Sequence, residues 1–291
     1  MALICSELTA MDKDKWDLRV RDDVDRIFDK IITITNIPRN SRKIIMLVEG
    51  YYDKRFYDKF IVKANVLIFY TNGCERMNAL AEILRTNGFE YLAIQDSDFS
   101  KLGAVNTGMV NMFFTDCHDY EMTCIGNVNV WSKVDSKLEL SVNGISKSDV
   151  FNEIELLSYY RYCSRLMDFY NNFTIVKKRV CDANVLDYKF IHEHIDDSHP
   201  QFKDIQEGYF NGFVTNHSSA KANAYNLHNG HDFINRLVYK LNLDECYLYY
   251  DCDEEEIQNV IVDSTDFSDF QSTDLYKDVA TWSTSHKGVF K

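Results

Sequence analysis

The sequence predicts an α/β protein with a parallel sheet flanked by helices. Three short apolar runs, at 43–50, 65–71 and 91–99, alternate with segments in which apolar residues recur at helical spacing. Continuous apolar runs are typical of strands buried on both faces, and strands that alternate with helices pair in parallel. We therefore divide the chain into an N-terminal helical segment (1–40), a core that contains the sheet (41–130) and a mostly α-helical α/β extension that packs on the core (131–291).

The first elements follow from the spacing of apolar residues. Residues 12–36 predict an amphipathic helix that ends before Pro38. The apolar face of this helix carries Trp16, Val20, Val24, Ile27 and Ile31. The first strand, KIIMLVEG at 43–50, leads into a helix at 52–62 with Tyr52, Phe56 and Phe60 on one face.

The second strand, NVLIFYT at 65–71, ends in a turn at Asn72-Gly73. A helix at 74–88 follows, and Gly88 is its expected stop. Its core-facing residues are Met77, Leu80 and Leu84. The remaining strands of the predicted sheet are YLAIQDSDF at 91–99 and MVNMFFTD at 109–116.

The C-terminal half has a less regular pattern. A long helix is predicted over 150–173, and shorter helices over 185–195 and 231–241. The long helix would bury Leu156, Tyr159, Cys163, Leu166 and Tyr170. The stretch at 244–256 contains seven acids and no base, which indicates a solvated loop or, alternatively, a docking surface for a basic partner.

Composition excludes several classes of protein. The sequence has no apolar run of about 18 residues and no basic region ahead of an apolar run at its start, so we expect neither a membrane span nor a secretory signal. Eight scattered cysteines without a Cys-x-x-Cys pair indicate reduced thiols in a cytoplasmic protein. The net charge of −13 argues against sequence-blind binding of nucleic acid, although Lys177-Lys178-Arg179 and Arg39, Arg42, Lys43 are candidates for a local basic groove.

Acidic residues follow three of the predicted strands. They are Glu49 and Asp53 after the first strand, Asp96 and Asp98 after the third, and Asp116, Asp119 and Glu121 after the fourth. Ligands of open parallel sheets bind beyond the carboxyl ends of the strands, and neighbouring strands lie about 4.8 Å apart. Because converging carboxylates repel one another and Mg²⁺ prefers carboxylate oxygens, the pattern predicts a site for this cation and a phosphate.

Each of these residues also has a structural interpretation. Asp53 could be an acid that the dipole of its helix favours, and Asp96 and Asp98 could be turn residues. His118 and His231 are candidates for structural or capping roles, and Asp232 for a helix cap.

Four segments carry a resemblance to a known family. VEGYYDKRFY, AIQDSDF, FFTDCHDYEM and YNLHNGHDFINRL resemble segments of Toprim-like proteins in bacterial defence loci. This family includes the effector nuclease of PARIS-type anti-phage systems, which partners an ABC-type ATPase. A glutamate after the first strand and DSD after the third are more distantly similar to the Toprim fold of topoisomerases, primases and overcoming-lysogenization-defect nucleases. The Toprim part of the resemblance covers about 43–125.

The resemblance implies an endonuclease that depends on Mg²⁺ or Mn²⁺ and acts as a toxic anti-phage effector on RNA such as tRNA, or on DNA. It assigns catalysis to Glu49, Asp53, Asp96 and Asp98, and metal binding to Glu49, Asp96, Asp98 and Glu121. Candidate supporting residues are Asp119, Lys101, Lys221 and His231. The resemblance also implies an ABC-type ATPase partner and a homodimer.

Other functions fit parts of the sequence. DSDFS at 96–100 resembles the nucleophile motif of haloacid-dehalogenase-like phosphatases, but that motif ends the first core strand, whereas here 43–50 precedes it. A primase-like nucleotidyl transferase would need a zinc-binding or template-binding region that we do not find. A further alternative is a regulatory or scaffold subunit that binds an ATPase through 244–256. We reject zinc at His-Glu-His, 192–194, because no further ligand lies nearby in the sequence.

Overall fold

The structure, a computed structural model, describes residues 10–104, 109–167, 173, 186–194, 205–242 and 252–291. It contains a four-stranded, all-parallel sheet and many helices, so the predicted α/β class with a helical extension is confirmed. The described residues form two compact units. The sheet unit comprises those within Met1–Asp96, Thr107–Thr115 and Phe270–Lys291, and the helical unit those within Ser97–Asn106 and Asp116–Asp269. The predicted boundaries near residues 40 and 130 stay a prediction.

The sheet has the strand order β2-β1-β3-β4. Its strands are β1 (Ile44–Val48), β2 (Val66–Tyr70), β3 (Tyr91–Gln95) and β4 (Met112–Phe114). Val48, the last residue of β1, pairs with Tyr70 on one side and Ile94 on the other. The predicted third and fourth strands were too long, because the chain leaves the sheet after Gln95 and Phe114.

The α-helices of the described residues are α1 (Ala10–Thr35), α2 (Tyr51–Asp58), α3 (Cys74–Thr86), α4 (Tyr120–Gly126), α5 (Val128–Leu138), α6 (Lys147–Leu166), α7 (Tyr188–His194), α8 (Glu207–Asn216), α9 (Ala224–Leu227), α10 (Gly230–Leu241), α11 (Glu254–Ser264), α12 (Phe267–Gln271) and α13 (Asp274–Ser283). Two 3₁₀ helices, Ser100–Leu102 and Ser218–Asn223, accompany them. None of these helices has both the length and the apolar composition needed to cross a membrane.

One face of the sheet forms a core with α1 and α3. Ile45 and Leu47 of β1 belong to this cluster, together with Ile31 of α1 and Leu80 and Leu84 of α3. All five of these residues are fully buried. The intervening residues of β1 are buried as well, so the sheet is covered on both faces, as a continuous apolar run predicts.

The turn between β2 and α3 requires unusual backbone angles. Asn72 and Gly73 have φ angles of 58° and 118°, and Gly73 is the N-cap of α3. Glycine and asparagine tolerate this region best. Gly88, with a φ angle of 72°, follows the end of α3, which confirms that it stops the helix.

Helix α6 of the helical unit differs from its predicted pattern. Leu166 is 39% exposed and Leu156 is only partly buried, whereas Val150, Ile154 and Leu157 are fully buried. Because Ser158, Tyr159, Tyr160, Tyr162, Cys163 and Ser164 are buried too, α6 has no single apolar stripe. A helix surrounded in this way is poorly described by one stripe.

Several predicted features fall partly outside the described residues. These features are Trp16, whose side chain is not described, Tyr170, Lys177-Lys178-Arg179 and residues 244–251 of the acidic stretch. The described end of that stretch is helical: Glu254, Glu255 and Glu256 form the first turn of α11, and Asp253 is its N-cap. The loop interpretation is wrong there, because acids stabilise the N-terminal turn of a helix.

Candidate functional site

Glu49 and Asp96 follow two neighbouring strands of the sheet unit. Glu49 comes directly after β1, and Asp96 comes directly after β3. The backbone N–H of Asp96 donates a hydrogen bond to Oε1 of Glu49 at 3.2 Å, and both residues are partly buried. The structure therefore brings these two predicted acids together at one edge of the sheet.

This edge lies where the strand order of the sheet reverses. The chain runs from β1 to β2 on one side and then crosses to β3 on the other side of β1. In open α/β sheets, ligands bind in the crevice beyond the carboxyl ends of the strands at such a reversal. Glu49 and Asp96 directly follow β1 and β3, the two neighbouring strands that border this crevice.

Asp53 contributes to the start of α2. Its Oδ2 accepts a hydrogen bond from the backbone N–H of Gly50, the N-cap residue, at 2.8 Å. A Cβ at position 50 would lie 2.8 Å from this oxygen, so a larger residue there would displace the Asp53 carboxylate. The structure thus supports the interpretation of Asp53 as an N-terminal acid, and its catalytic role stays a prediction.

Asp98 belongs to the helical unit and has a left-handed backbone, with a φ angle of 44°. Its N–H donates to the carbonyl of His118 at 2.8 Å. Burial raises the pKa of the Asp98 carboxyl, and the nearby charges of His118 and Arg165 partly oppose that rise. Aspartate is one of the residues that tolerate this conformation, so the turn interpretation of Asp98 agrees with the structure.

Asp119 connects two motifs that are far apart in the sequence. It is the N-cap of α4, and its Oδ1 accepts from the N–H of Met122 at 2.8 Å. Its Oδ2 accepts from the N–H of Gly230 at 2.6 Å and lies 3.2 Å from Nδ1 of His118. The HDYEM and NGHDF segments, on which the resemblance partly depends, therefore meet at this carboxylate.

The carboxyl of Asp119 and the imidazole of His118 are both buried, and each stabilises the charged form of the other. Burial alone would raise the pKa of Asp119, but the hydrogen bond and charge of His118 and two backbone N–H groups lower it. Burial likewise opposes protonation of His118, yet its contact with Asp119 raises the pKa of the ring.

Gly230 is packed so tightly that no larger residue fits. A Cβ at this position would lie 2.6 Å from Oδ1 of Asp119 and 2.6 Å from Cβ of Glu121. We expect Gly230→Ala to lower the free energy of unfolding by about 1–3 kcal/mol in urea denaturation, as overpacking does. Gly212→Ala in α8 is the control: nothing lies near its Cβ, and alanine should raise stability by about 0.5–1 kcal/mol. Equal stability of the two variants would contradict this packing.

Glu121 lies in a second part of the same polar network. This residue is 2% exposed, and its Oε1 accepts a hydrogen bond from Nε2 of Gln258 at 2.8 Å. His231 Nε2 lies 3.8 Å from the same oxygen, and Nδ1 of His231 is 2.5 Å from Glu254. The structure thus brings together Glu121 and His231, both predicted as site residues. The role of Glu121 in metal binding stays a prediction.

His228 is a buried, neutral histidine beside this network. It pairs with Ser158 at 2.7 Å and stacks on Phe151, and burial lowers its pKa to about 3. Between its usual pKa of 6.5 and about 3, the unfolded chain binds a proton that the folded protein does not bind. We expect this residue to reduce the free energy of unfolding by up to about 1.4 kcal/mol per pH unit as the pH falls through this range.

Urea denaturation between pH 7 and pH 4 tests the effect of His228. His228→Asn removes the titrating group and should have a shallower pH dependence than the wild type, whatever its stability at neutral pH. Parallel curves for the two proteins would show that His228 has no such effect.

A cavity of about 210 Å³ lies next to His118 in the helical unit. Asp98, Arg161 and Arg165 bring charged groups to its wall. Arg161 forms a two-point ion pair with the fully buried Asp232: Nε donates to Oδ2 at 2.6 Å and Nη2 donates to Oδ1 at 2.8 Å. Asn229, rather than Asp232, is the N-cap of α10, so the predicted capping role of Asp232 is wrong.

The two lysines predicted as supporting residues are exposed. Lys221 pairs with Glu155 at 2.5 Å, and Lys101 lies in the 3₁₀ helix Ser100–Leu102. His194 and His192 of the His-Glu-His segment contact the carbonyl of Phe190 and the hydroxyl of Tyr188, respectively.

Four residues around these groups were not predicted from the sequence: Arg161, Arg165, Gln258 and Glu254. The two arginines are four residues apart in α6, a spacing that places them on the same side of a helix. This spacing was the available signal, but the helix was predicted from its apolar residues alone. Gln258 and Glu254 have no comparable pattern in the sequence.

The donors at the sheet edge fit a hard cation. Glu49 and Asp96 offer carboxylate oxygens, and Mg²⁺ is usually bound by one or two carboxylates together with water and substrate phosphates. Within the described part of the chain, no group of three or more His, Cys, Asp or Glu side chains is arranged to hold a metal ion. The comparisons found no family model that matches the chain and no match among curated proteins.

Proposed function

We propose that the protein is a Mg²⁺- or Mn²⁺-dependent endonuclease. The observation that supports this function best is the hydrogen bond from Asp96 to Glu49, which places two acids together at the strand-order reversal of a parallel sheet. The motifs at these positions, VEG and DSD, are those that resemble the Toprim nucleases.

In this proposal Glu49 and Asp96 hold the cation, and the amide of Asp96 orients the carboxylate of Glu49. When bound, the cation would polarise a phosphate oxygen and offset the charge that develops during phosphodiester hydrolysis. Asp53 fixes the turn after Glu49 through the N–H of Gly50. The metal-binding role of Asp98 stays a prediction from the DSD motif.

The substrate and partners are proposed from the resemblance and from charge. The net charge of −13 disfavours sequence-blind binding of long duplexes, so we propose a structured RNA such as tRNA, ahead of DNA. We further propose a cytoplasmic anti-phage effector that partners an ABC-type ATPase and forms a homodimer. The effector role, the ATPase partner and the homodimer are proposed from the resemblance alone.

Incubation of the purified protein with a panel of nucleic acids tests the proposed reaction. The panel consists of total RNA, tRNA, single-stranded DNA and plasmid, each with Mg²⁺, with Mn²⁺ and with EDTA. We expect cleavage of tRNA or another structured RNA with either metal and none with EDTA.

Two other outcomes would contradict the proposed nuclease and support a different function. Hydrolysis of small phosphate monoesters without cleavage of any nucleic acid would favour a haloacid-dehalogenase-like phosphatase. Absence of both reactions, also in the presence of the ATPase partner, would favour the regulatory or scaffold subunit.

A further inference from the structure

His118, one of the residues that line the cavity, has a buried polar atom without a partner. Nδ1 of His118 pairs with Asp119. Its Nε2 is buried and has no hydrogen-bond partner within the described part of the chain. His118 is 3% exposed and is one of the residues that line the cavity. An unsatisfied buried polar group reduces stability, so a ligand that pairs with Nε2 would be favoured.

Two guanidinium groups lie on the wall of the same cavity. Arg161 uses Nε and Nη2 for Asp232, which leaves Nη1 outside that ion pair, and its guanidinium lies 4.4 Å from the ring centroid of Phe173. Arg161 is thereby held in one orientation. Arg165, one turn later in α6, is exposed and also lines the cavity.

We propose that this cavity is a phosphate-binding site in which Arg161 and Arg165 contact the phosphate oxygens and Nε2 of His118 pairs with one of them. Guanidinium groups match the geometry of phosphate. An imidazole nitrogen can pair with phosphate in either state, because a protonated ring donates to an oxygen and a neutral ring accepts from a P–OH group.

The size of the cavity agrees with this ligand class. Its volume of about 210 Å³ exceeds the roughly 30 Å³ of one water molecule but is smaller than the roughly 300–1,000 Å³ of pockets for drug-sized ligands. A phosphate group with part of its ester would fit. The site uses neither Glu49 nor Asp96 and needs no metal. Asp98 lines this cavity and is also a metal ligand in the prediction from the DSD motif, so phosphate binding is measured in EDTA, where the proposed nuclease is inactive.

Asp98 offers a test of the proposal, because it lines the same cavity and its carboxyl is close enough to Arg165 and Arg161 for their charges to act on it. A carboxylate there repels a phosphate, whereas the guanidinium of Arg165 attracts it. Neutralising the two residues should therefore change phosphate affinity in opposite directions.

Isothermal titration of inorganic phosphate into the full chain, in EDTA at constant ionic strength, measures these effects. We expect saturable binding by the wild type, at least about tenfold weaker binding by Arg165→Gln and tighter binding by Asp98→Asn. Arg85→Gln, which alters an exposed arginine of the sheet unit, is the control and should bind like the wild type. Absence of saturable binding by the wild type, unchanged affinity in Arg165→Gln or weaker binding by Asp98→Asn would overturn the proposal.

Competition identifies the source of the phosphate. A nucleoside monophosphate and a short single-stranded RNA are each titrated against bound phosphate, again in EDTA. Displacement by the RNA would indicate a site for the nucleic-acid backbone, and displacement by the monophosphate alone would indicate a site for a free nucleotide. If the protein binds phosphate in this way but cleaves no nucleic acid, the result supports the phosphate site and contradicts the proposed nuclease function.

Discussion

Glu49→Gln is expected to reduce metal-dependent cleavage of nucleic acid by about a hundredfold or more while leaving the fold intact. Glutamine keeps a carbonyl oxygen for the N–H of Asp96 but removes the negative charge that would hold the cation. A metal that polarises phosphate contributes several kcal/mol to the transition state, and each 1.36 kcal/mol is a factor of about ten in rate. Initial rates on the best substrate of the panel measure the loss.

Asp96→Asn should have a similar effect, because it neutralises the acid on the neighbouring strand. Glu82→Gln is the matched control: this glutamate is exposed in α3 and pairs with Arg85 of the same helix. Its variant should cleave at the wild-type rate. If Glu49→Gln and Asp96→Asn both retained wild-type cleavage with unchanged unfolding curves, neither acid would be part of the active site.

Arg161→Gln is expected to lower the free energy of unfolding by about 3–5 kcal/mol. The guanidinium is the partner of Asp232, which is fully buried and forms two hydrogen bonds with it. Removal of one member of a buried ion pair leaves the other charge without compensation in a medium of low polarity. Urea denaturation monitored by circular dichroism gives the change.

The double variant Arg161→Gln/Asp232→Asn distinguishes the destabilisation caused by an unpaired charge from that caused by lost packing. It removes the isolated carboxylate and should be more stable than the sum of the two single losses predicts. Arg85→Gln, in the exposed pair with Glu82, should change stability little. Additive losses in the double variant would show that the two charges do not interact.

Local patterns made the sheet predictable from the sequence. The run IIMLV at 44–48 is buried along its whole length, and Asn72-Gly73 supplies the left-handed turn before α3. The pairing of Glu49 with Asp96 was also predictable, because parallel strands end at the same edge and the spacing of the segments indicated parallel strands. In these cases the deciding interactions lie within a few residues or follow from strand direction.

The polar network could not be predicted in the same way. Asp119 meets Gly230 across 111 residues, and Arg161 meets Asp232 across 71. Nothing in the local sequence specifies such partners, because burial of a charge is decided by which helices pack together. Helix α6 illustrates this limit: its apolar spacing predicted one buried face, but buried residues lie on several sides of the helix.

Binding of Mn²⁺ to the full chain, followed by electron paramagnetic resonance, tests the metal site at the sheet edge most directly. The wild type and Glu82→Gln should bind Mn²⁺ with the same affinity and release it to Mg²⁺, and Glu49→Gln and Asp96→Asn should bind it at least about tenfold more weakly. Equal Mn²⁺ affinity in all four proteins would contradict a cation held by Glu49 and Asp96.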